Sequence, residues 1–131
     1  MQKSAIRRAR RTTRRTLRSE LRRRSAATRL AASCHRRPRS LATVAVAAGV
    51  AKDTAAGIAN GLRSVAKRLS LAPAATARTK RTVAGGRARR THNVTRWTLR
   101  QICTLLAAYK PRKPEFKAAV VLIAAFAGGA R

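Results

Sequence analysis

The clearest hydrophobic pattern in the chain lies between residues 40 and 71. Its nine apolar positions follow one another at alternating spacings of three and four residues, and they are Leu41, Val44, Ala48, Ala51, Ala55, Ile58, Leu62, Val65 and Leu69. A period of about 3.5 residues that is held this long predicts one long amphipathic helix. Ser40 before it is a suitable N-cap, and Pro73 after it is a suitable stop.

The stripe from Leu41 to Leu69 has two interpretations. Gly57 and Gly61 form a pair of small residues beside it, which would let the helix pack closely on a partner, including a second copy of the chain. Alternatively, the helix covers hydrophobic residues of the chain's own C-terminal part. The second interpretation is favoured, because the alanines make a weak seam and each internal glycine lowers helix stability by about 1 kcal/mol.

Residues 93–131 predict a small helical hairpin with an apolar tail. A first helix, capped by Asn93 or Thr95 and entered at Trp97, would present an apolar face made of Leu99, Ile102, Cys103, Leu105, Leu106 and Tyr109. The two prolines within residues 110–115 forbid helix continuation and predict a turn. Residues 116–126 are apolar nearly all round, and at this length they suit a buried helix better than a membrane span.

All four aromatic residues lie in this C-terminal region. Elsewhere the hydrophobic composition is rich in alanine, which contributes little buried area per residue. Any core is therefore expected to be small and C-terminal, with the 40–71 helix laid across it. The expected contacts are made by Ile102, Leu106, Tyr109, Val120 and Ile123.

Residues 1–39 are of a different kind, with fourteen arginines and one lysine against a single acid, Glu20. A thin apolar stripe predicts a helix over residues 5–31, and its members are Ile6, Ala9, Thr13, Leu17, Leu21 and Leu30. Such a helix is marginal in water, because like charges four residues apart repel one another. We therefore expect a disordered arm that becomes helical when phosphates neutralise its arginines.

Residues 72–92 lack an apolar period and contain a glycine pair, six basic residues and no acid. They predict a basic linker that serves as a second anion-binding arm. Together these regions predict a mostly α fold with disordered basic arms. Its ordered parts would be one long amphipathic helix and the C-terminal helical hairpin.

The net charge of +29 indicates what kind of partner the chain needs. Only three acids stand against 32 basic residues, so no core could bury the guanidinium groups in paired form. These groups must stay in water or lie against a polyanion. Arginine outnumbers lysine by 25 to 7, and its planar fork matches two phosphate oxygens at once.

The phosphate backbone of DNA or RNA is therefore the predicted partner. The basic arms contain no aromatic residues for base stacking, and nothing resembles a reading helix held by a scaffold, so we expect condensation that is blind to sequence. The predicted phosphate-binding residues are Arg7, Arg8, Arg10, Arg11, Arg14, Arg15, Arg18, Arg22, Arg23, Arg24, Arg36, Arg37, Arg39, Arg78, Lys80, Arg81, Arg87, Arg89 and Arg90.

Little in the chain could support catalysis or hold a metal. The three carboxylates lie in separate segments, and Cys34 and Cys103 are 69 residues apart. Neither His35 nor His92 has neighbours at ligand spacing. We therefore predict no enzyme activity, no cofactor and no metal site. No apolar run reaches the ~18 residues of a membrane span.

The basic block carries a resemblance to a known family. The run Arg-Arg-Ala-Arg-Arg-Thr-Thr-Arg-Arg at residues 7–15, with Arg-Arg-Arg-Ser-Ala-Ala at residues 22–27, resembles the Arg/Ala/Thr blocks of adenovirus histone-like core proteins. An apolar tail after a basic body is similar to the small core peptide precursor of those viruses. The resemblance implies a nucleoprotein that condenses viral DNA, located in the virion core and the host nucleus.

Three other interpretations of the composition stay open. An acid-poor, arginine-rich N-terminus is also typical of a targeting segment, which would make the chain a basic organellar or ribosome-associated protein, in the mitochondrion or another organelle. A less favoured alternative is a cationic binder of membrane surfaces, acting through the stripe from Leu41 to Leu69 or through the apolar tail. The last is a chain of biased composition with little evolved function.

Overall fold

The computed structural model describes residues 2–82, 85–86 and 89–129, and the chain is mostly helical, as predicted. Within these residues it forms five helices and one two-stranded sheet. In chain order the elements are α1 (Gln2–Arg36), α2 (Leu41–Ala47), α3 (Lys52–Arg68), β1 (Ala75–Thr82), β2 (Arg89–Arg96), α4 (Leu99–Ala108) and α5 (Pro114–Gly128).

The hydrophobic core draws on more of the chain than the C-terminal hairpin. Its largest fully buried side chains come from α2, α3, α4 and α5, and they are Val44, Ile58, Leu62, Ile102, Leu105 and Ile123. Trp97, just before α4, and Cys34, near the end of α1, are buried with them. The core was predicted to be small and C-terminal with the 40–71 helix laid across it; it extends further, because the stripe on residues 41–69 supplies a large part of it.

The predicted long helix is divided in two. Gly49, between α2 and α3, has a φ of 97°, in the left-handed region that residues with a Cβ rarely adopt. The N–H groups of Gly49 and Val50 donate to the carbonyls of Val46 and Ala45 at 3.0 and 3.1 Å, which completes a Schellman motif at the end of α2. The apolar period continues across this break, and for that reason the pattern alone predicted a continuous helix.

The two glycines beside the stripe are used inside the chain. A Cβ built on Gly57 would lie 2.8 Å from Cζ of Phe116, and one on Gly61 would lie 2.7 Å from Oη of Tyr109. Both distances are shorter than real Cβ contacts, so the aromatic rings approach α3 where only glycine leaves room. This supports the interpretation in which the stripe covers the chain's own hydrophobic residues. Self-association through the stripe stays a prediction.

The predicted C-terminal helical hairpin is confirmed, with a later start. Thr98 caps α4 and forms a capping box with Gln101, whereas the predicted caps, Asn93 and Thr95, lie on β2. α5 begins at Pro114, whose missing N–H costs nothing at the first helical position. The proline turn between the two helices therefore ends one helix and begins the next.

The predicted core contacts are present. Ile102, Leu106 and Ile123 are buried, and Tyr109 and Val120 are half-buried against the core. The other aromatic rings join them: Trp97 is buried, and the rings of residues 116 and 126 pack on the same cluster. Large side chains on α4 and α5 thus meet the leucine and isoleucine positions of α3.

A β-hairpin occupies the region predicted to be a basic linker. β1 and β2 pair antiparallel, with Ala77 opposite Val94, and Gly85 and Gly86 between the strands have φ values of 101° and 73°. Threonine recurs along both strands, at residues 76, 79, 82, 91 and 95, and its branched Cβ favours extended backbone. The linker prediction was wrong because the alternating positions carry threonine, alanine and basic side chains, which give no hydrophobic period to detect.

α1 is longer at both ends than the predicted helix over residues 5–31. Only its C-terminal part approaches the core, where Leu30 is half-buried and Cys34 is buried, while residues 2–29 are exposed. The expectation that this arm is disordered in the absence of phosphate stays a prediction.

Replacing Gly49 distinguishes a helix that is broken at this residue from one that is continuous over residues 40–71. The two cases predict changes of opposite sign in the free energy of unfolding. Because alanine is strained at the φ of Gly49, we expect Gly49→Ala to lower the free energy of unfolding by about 1–3 kcal/mol. In a continuous helix the same change would raise it by about 1 kcal/mol. Urea unfolding followed by the fluorescence of Trp97, the single tryptophan, measures the difference. Gly128→Ala is the control, since an added Cβ there meets nothing within 4 Å.

A second substitution tests the core itself. Ile102 is 1% exposed, so we expect Ile102→Ala to remove buried methylenes, leave a void and cost about 2–5 kcal/mol. A domain this small has only ~5 kcal/mol of stability to lose, and the variant should be largely unfolded by Trp97 fluorescence. Val121→Ala, at a residue that is 67% exposed, should shift stability by less than about 0.5 kcal/mol. Equal effects of the two changes would contradict a packed core.

Candidate nucleic-acid interface

Most of the predicted phosphate-binding residues lie on the exposed part of α1. Residues 2–29 are exposed on every side, and the apolar stripe predicted there does not pack on the core, since Ile6, Leu17 and Leu21 are each more than half exposed. The hydroxyl groups of Thr12 and Thr13 donate to a carbonyl of the preceding turn at 2.7 and 3.0 Å. These hydroxyls are therefore hydrogen-bonded within their own helix. The exposed arginines remain as the groups that can contact a partner.

The arginines of α1 are concentrated on one side of the helix. At about 100° per residue, seven of them fall within an arc of about 80°: Arg7, Arg11, Arg14, Arg18, Arg22, Arg29 and Arg36. We call the first five of these the α1 arginine face. Ala9, Thr16 and Ala27 lie on the opposite side. The other predicted arginines of this helix, Arg8, Arg10, Arg15, Arg23 and Arg24, flank the face or point elsewhere.

The charge spacing along α1 is close to that of a nucleic-acid strand. Residues 2–29 contain eleven arginines and one lysine against Glu20. At 1.5 Å per residue they extend about 42 Å, so that one net positive charge recurs about every 4 Å. The phosphates of one DNA strand recur about every 3.4 Å. With one acid on the helix, at least eleven of its cations have no carboxylate of the same helix to pair with.

The end of α1 is fastened to the base of the β-hairpin. Arg39 and Trp97 exchange two backbone hydrogen bonds, with the Arg39 N–H donating at 3.1 Å and the Trp97 N–H at 2.8 Å. The Arg39 guanidinium also donates to the Ser33 hydroxyl from Nε at 3.0 Å and from Nη2. Arg39 is thus half-buried and engaged within the chain, whereas Arg36 and Arg37 are exposed.

The second group of predicted residues lies on the hairpin. Arg78, Lys80 and Arg90 are exposed on the paired strands. Arg81 and Arg89 also lie on these strands by register. The remaining predicted residue, Arg87, lies outside the described residues. The structure therefore collects the predicted residues into two basic elements that leave the core at one junction, the Arg39–Trp97 pair.

Sequence reasoning missed several polar residues of the same surfaces. Arg29 extends α1's arginine row and donates to the Ser25 carbonyl and hydroxyl at 3.3 and 3.2 Å. On the hairpin, His92 and Asn93 are exposed, and Arg96 is half-buried at the base. The strand residues could have been found only from the recurrence of β-branched threonine among the basic residues.

Neither cysteine stands in a site built for catalysis. Cys34 is 3% exposed, and burial raises the pKa of its thiol, while the nearby Arg39 charge opposes this more weakly. The neighbouring His35 ring packs against Phe126, with ring centroids 4.8 Å apart. Cys103 is free and exposed on α4. A raised pKa keeps the buried thiol protonated, which is the unreactive form.

Two other classes of site have no support in the part of the chain that the structure describes. No group of three histidine, cysteine or acidic side chains there is placed to hold a metal ion. None of the described helices combines the length and the apolar character needed to cross a bilayer.

Comparisons with protein-family models, with curated proteins and with solved structures find no match to this chain. The resemblance of the basic block to adenovirus core proteins therefore stays a prediction. The function is therefore inferred from the residues and the geometry of the two basic elements.

The burial of Cys34 predicts unequal reactivity of the two thiols. At pH 8 we expect Cys103 to react promptly with a disulfide reagent, and Cys34 to react only when the core opens, because it is buried and its thiol is protonated. Absorbance of the released thiolate should show one fast equivalent, and a second one after urea is added. A Cys103→Ser variant isolates the slow equivalent. Two fast equivalents in the native protein would contradict the packing of α1 on the core.

Proposed function

We propose that this chain binds nucleic acid through the phosphate backbone, without sequence specificity, and compacts it by neutralising charge. The observation that carries the proposal is the α1 arginine face, exposed on a helix whose net charge recurs about every 4 Å. A nucleic-acid backbone is a polyanion with closely similar spacing. Arginine binds two phosphate oxygens at once, so each contact is a charge-assisted pair of hydrogen bonds.

Binding through α1 is expected to ignore base sequence. Proteins that read bases hold a few side chains at fixed positions by packing the reading helix on a scaffold. Residues 2–29 of α1 have no such support, since they are exposed on all sides. Their long side chains can follow phosphates wherever these lie, but they do not present a fixed pattern to base edges. Contacts of this kind position a protein on nucleic acid and carry no sequence information.

Compaction follows from how much charge one chain supplies. Duplex DNA carries one charge per ~1.7 Å, so about 42 Å of duplex presents about 25 phosphates. The exposed part of α1 offsets eleven of these. The rest must be neutralised by the hairpin or by neighbouring chains. Two basic elements on one core also allow one chain to contact two duplex segments, which draws the segments together.

The compartment in which the chain acts depends on the identity of the nucleic acid. The resemblance of residues 7–27 to adenovirus core proteins favours viral DNA in a virion core. The organellar or ribosome-associated alternative needs the same phosphate contacts and differs in the fate of the N-terminus. The membrane alternative is weakened by the use of the stripe from Leu41 to Leu69, most of whose large side chains are buried in the core.

Salt dependence and two matched variants test the proposal. If about eight phosphates are neutralised, the slope of log K against log[salt] for duplex DNA is about −7, roughly a 10⁴-fold loss of affinity between 50 and 200 mM. Arg11→Gln, Arg14→Gln, Arg18→Gln and Arg22→Gln together should make the slope shallower by about 4 units. The control removes the same number of charges from exposed lysines of the helical domain, by Lys52→Gln, Lys67→Gln, Lys110→Gln and Lys117→Gln.

Fluorescence anisotropy measures the affinities of the wild-type chain, the arginine variant and the lysine control for two unrelated DNA duplexes. The control should change the slope by less than about 1 unit, because its lysines lie on neither α1 nor the hairpin. Equal losses in the two variants would show that net charge alone matters, and not the α1 arginine face. A wild-type slope shallower than about −3, or a tenfold preference for one duplex, would contradict backbone binding.

A further inference from the structure

The two faces of the β-hairpin carry different chemistry. Residues that stand opposite each other in an antiparallel pair point to the same side. Arg78 stands opposite Asn93 and Lys80 opposite Thr91, and we call these four residues the Arg78 face; Thr76 and Thr95 lie on the same side, nearer the base. Among the strand residues whose side chains the structure describes, the other side carries Ala75, Ala77, Thr79, Arg90, His92, Val94 and Arg96, and we call it the Ala77 face.

The Arg78 face is not explained by the packing of the chain. All four of its side chains are exposed, whereas Ala77 and Val94 on the other face are half-buried. β1 and β2 pair only with each other in the described sheet. An isolated two-stranded ribbon is marginally stable in water. A face made entirely of cationic and hydrogen-bonding side chains, on an element that adds little to the core, points to a partner outside the chain.

The base of the hairpin is held in place. Trp97, directly after β2, is 3% exposed, and its indole N–H donates to the Thr95 hydroxyl at 3.2 Å. Its backbone pairs with that of Arg39 on the other side. The ribbon therefore leaves the core from a fixed base, unlike a flexible basic linker. Strands of eight residues extend about 27 Å from it.

We propose that the hairpin enters the major groove of B-form DNA with its Arg78 face toward the base edges. This inference rests on the proposed function and names the form of nucleic acid that the chain binds. The strands of a sheet lie about 4.8 Å apart. The major groove, about 12 Å wide, admits such a ribbon with its side chains, and the minor groove, about 6 Å wide, does not.

The side chains of the Arg78 face are those that contact base edges. Arginine and lysine donate to guanine O6 and N7, asparagine pairs with adenine, and threonine contacts either base or a thymine methyl group. Arg90, on the Ala77 face, would point away from the groove floor. The ribbon thus uses a few base-edge contacts, while α1 supplies sequence-independent charge. With so few contacts, the result is a choice of groove more than a choice of sequence.

The same geometry separates DNA from RNA. Double-stranded RNA is A-form, and its major groove is deep and too narrow for side chains to read. A polycation that binds phosphate alone would treat the two duplexes alike. A ribbon that needs a wide major groove adds affinity to DNA only. The wild-type chain should therefore prefer a DNA duplex over an RNA duplex of the same sequence by about tenfold, as expected from one or two base-edge contacts.

Two double variants with equal charge loss test the inference in the full chain. Arg78→Gln with Lys80→Gln removes two cations from the Arg78 face, and Arg90→Gln with Arg96→Gln removes two from the Ala77 face. Affinities for 20-base-pair DNA and RNA duplexes are measured at one salt concentration. Methylation of guanine N7 by dimethyl sulfate reports occupancy of the major groove, where N7 lies. Unchanged protection of Cys34 verifies that each variant is folded.

The first variant should reduce the preference for DNA to less than about threefold and lose the protection of guanine N7, while still binding both duplexes through α1. The second should keep the preference and the protection. Equal binding of DNA and RNA by the wild-type chain, or equal effects of the two variants, would overturn groove entry and leave backbone binding intact. Failure of the wild-type chain to bind any duplex would overturn the proposed function itself.

Discussion

Repulsion among 32 basic side chains, with three carboxylates to offset it, is the constraint on which the rest of the structure depends. The chain limits this repulsion by keeping charged side chains in contact with water. Within the described residues, no charged side chain is buried. Basic residues are instead concentrated on α1 and the hairpin, two elements that contribute little to the core. What remains, the end of α1 together with α2, α3, α4 and α5, can then pack as a small helical domain.

Small residues at the centre of that domain allow close packing. Ala55, Ala59 and Ala66 are buried on α3 among its larger side chains. Gly57 and Gly61 let two aromatic rings come against the same helix. Close approach of this kind makes good use of few large hydrophobic residues, but it leaves little tolerance for added volume. The stability of the core and the display of the arms are therefore linked at one junction, where Arg39 pairs with Trp97.

Helical periodicity predicted the elements in which large apolar residues recur. The α4–α5 hairpin, its proline turn and the contacts of Ile102 and Ile123 followed from the sequence, because apolar spacing and proline act locally. The division at Gly49 did not follow from the sequence, because the left-handed φ of this residue does not interrupt the spacing of the apolar residues. The hydrophobic period left two partners open for the stripe, and the favoured one, the chain's own C-terminal helices, agrees with the approach of Tyr109 and Phe116 to Gly61 and Gly57.

The β-hairpin was the largest element that the sequence did not reveal. Its strands hold threonine and basic residues where a half-buried strand would hold large apolar ones, so its composition is that of a linker. Its basic residues were identified as candidates, but not their division into two faces, which depends on strand register. For α1 the reverse holds. Composition alone identified its arginines, and helical geometry then ordered five of them into one face.

The central claim is that an independently folded core carries basic elements that bind nucleic acid. Amide hydrogen exchange of the full chain, with and without duplex DNA at low salt, tests it most directly. The account predicts protected amides in α3 and α4 without DNA, and slower exchange in residues 2–29 and in β1 and β2 when DNA is added. Unprotected amides in α3 and α4 without DNA would contradict the core. Unchanged exchange in residues 2–29 at saturating DNA would contradict the role of α1.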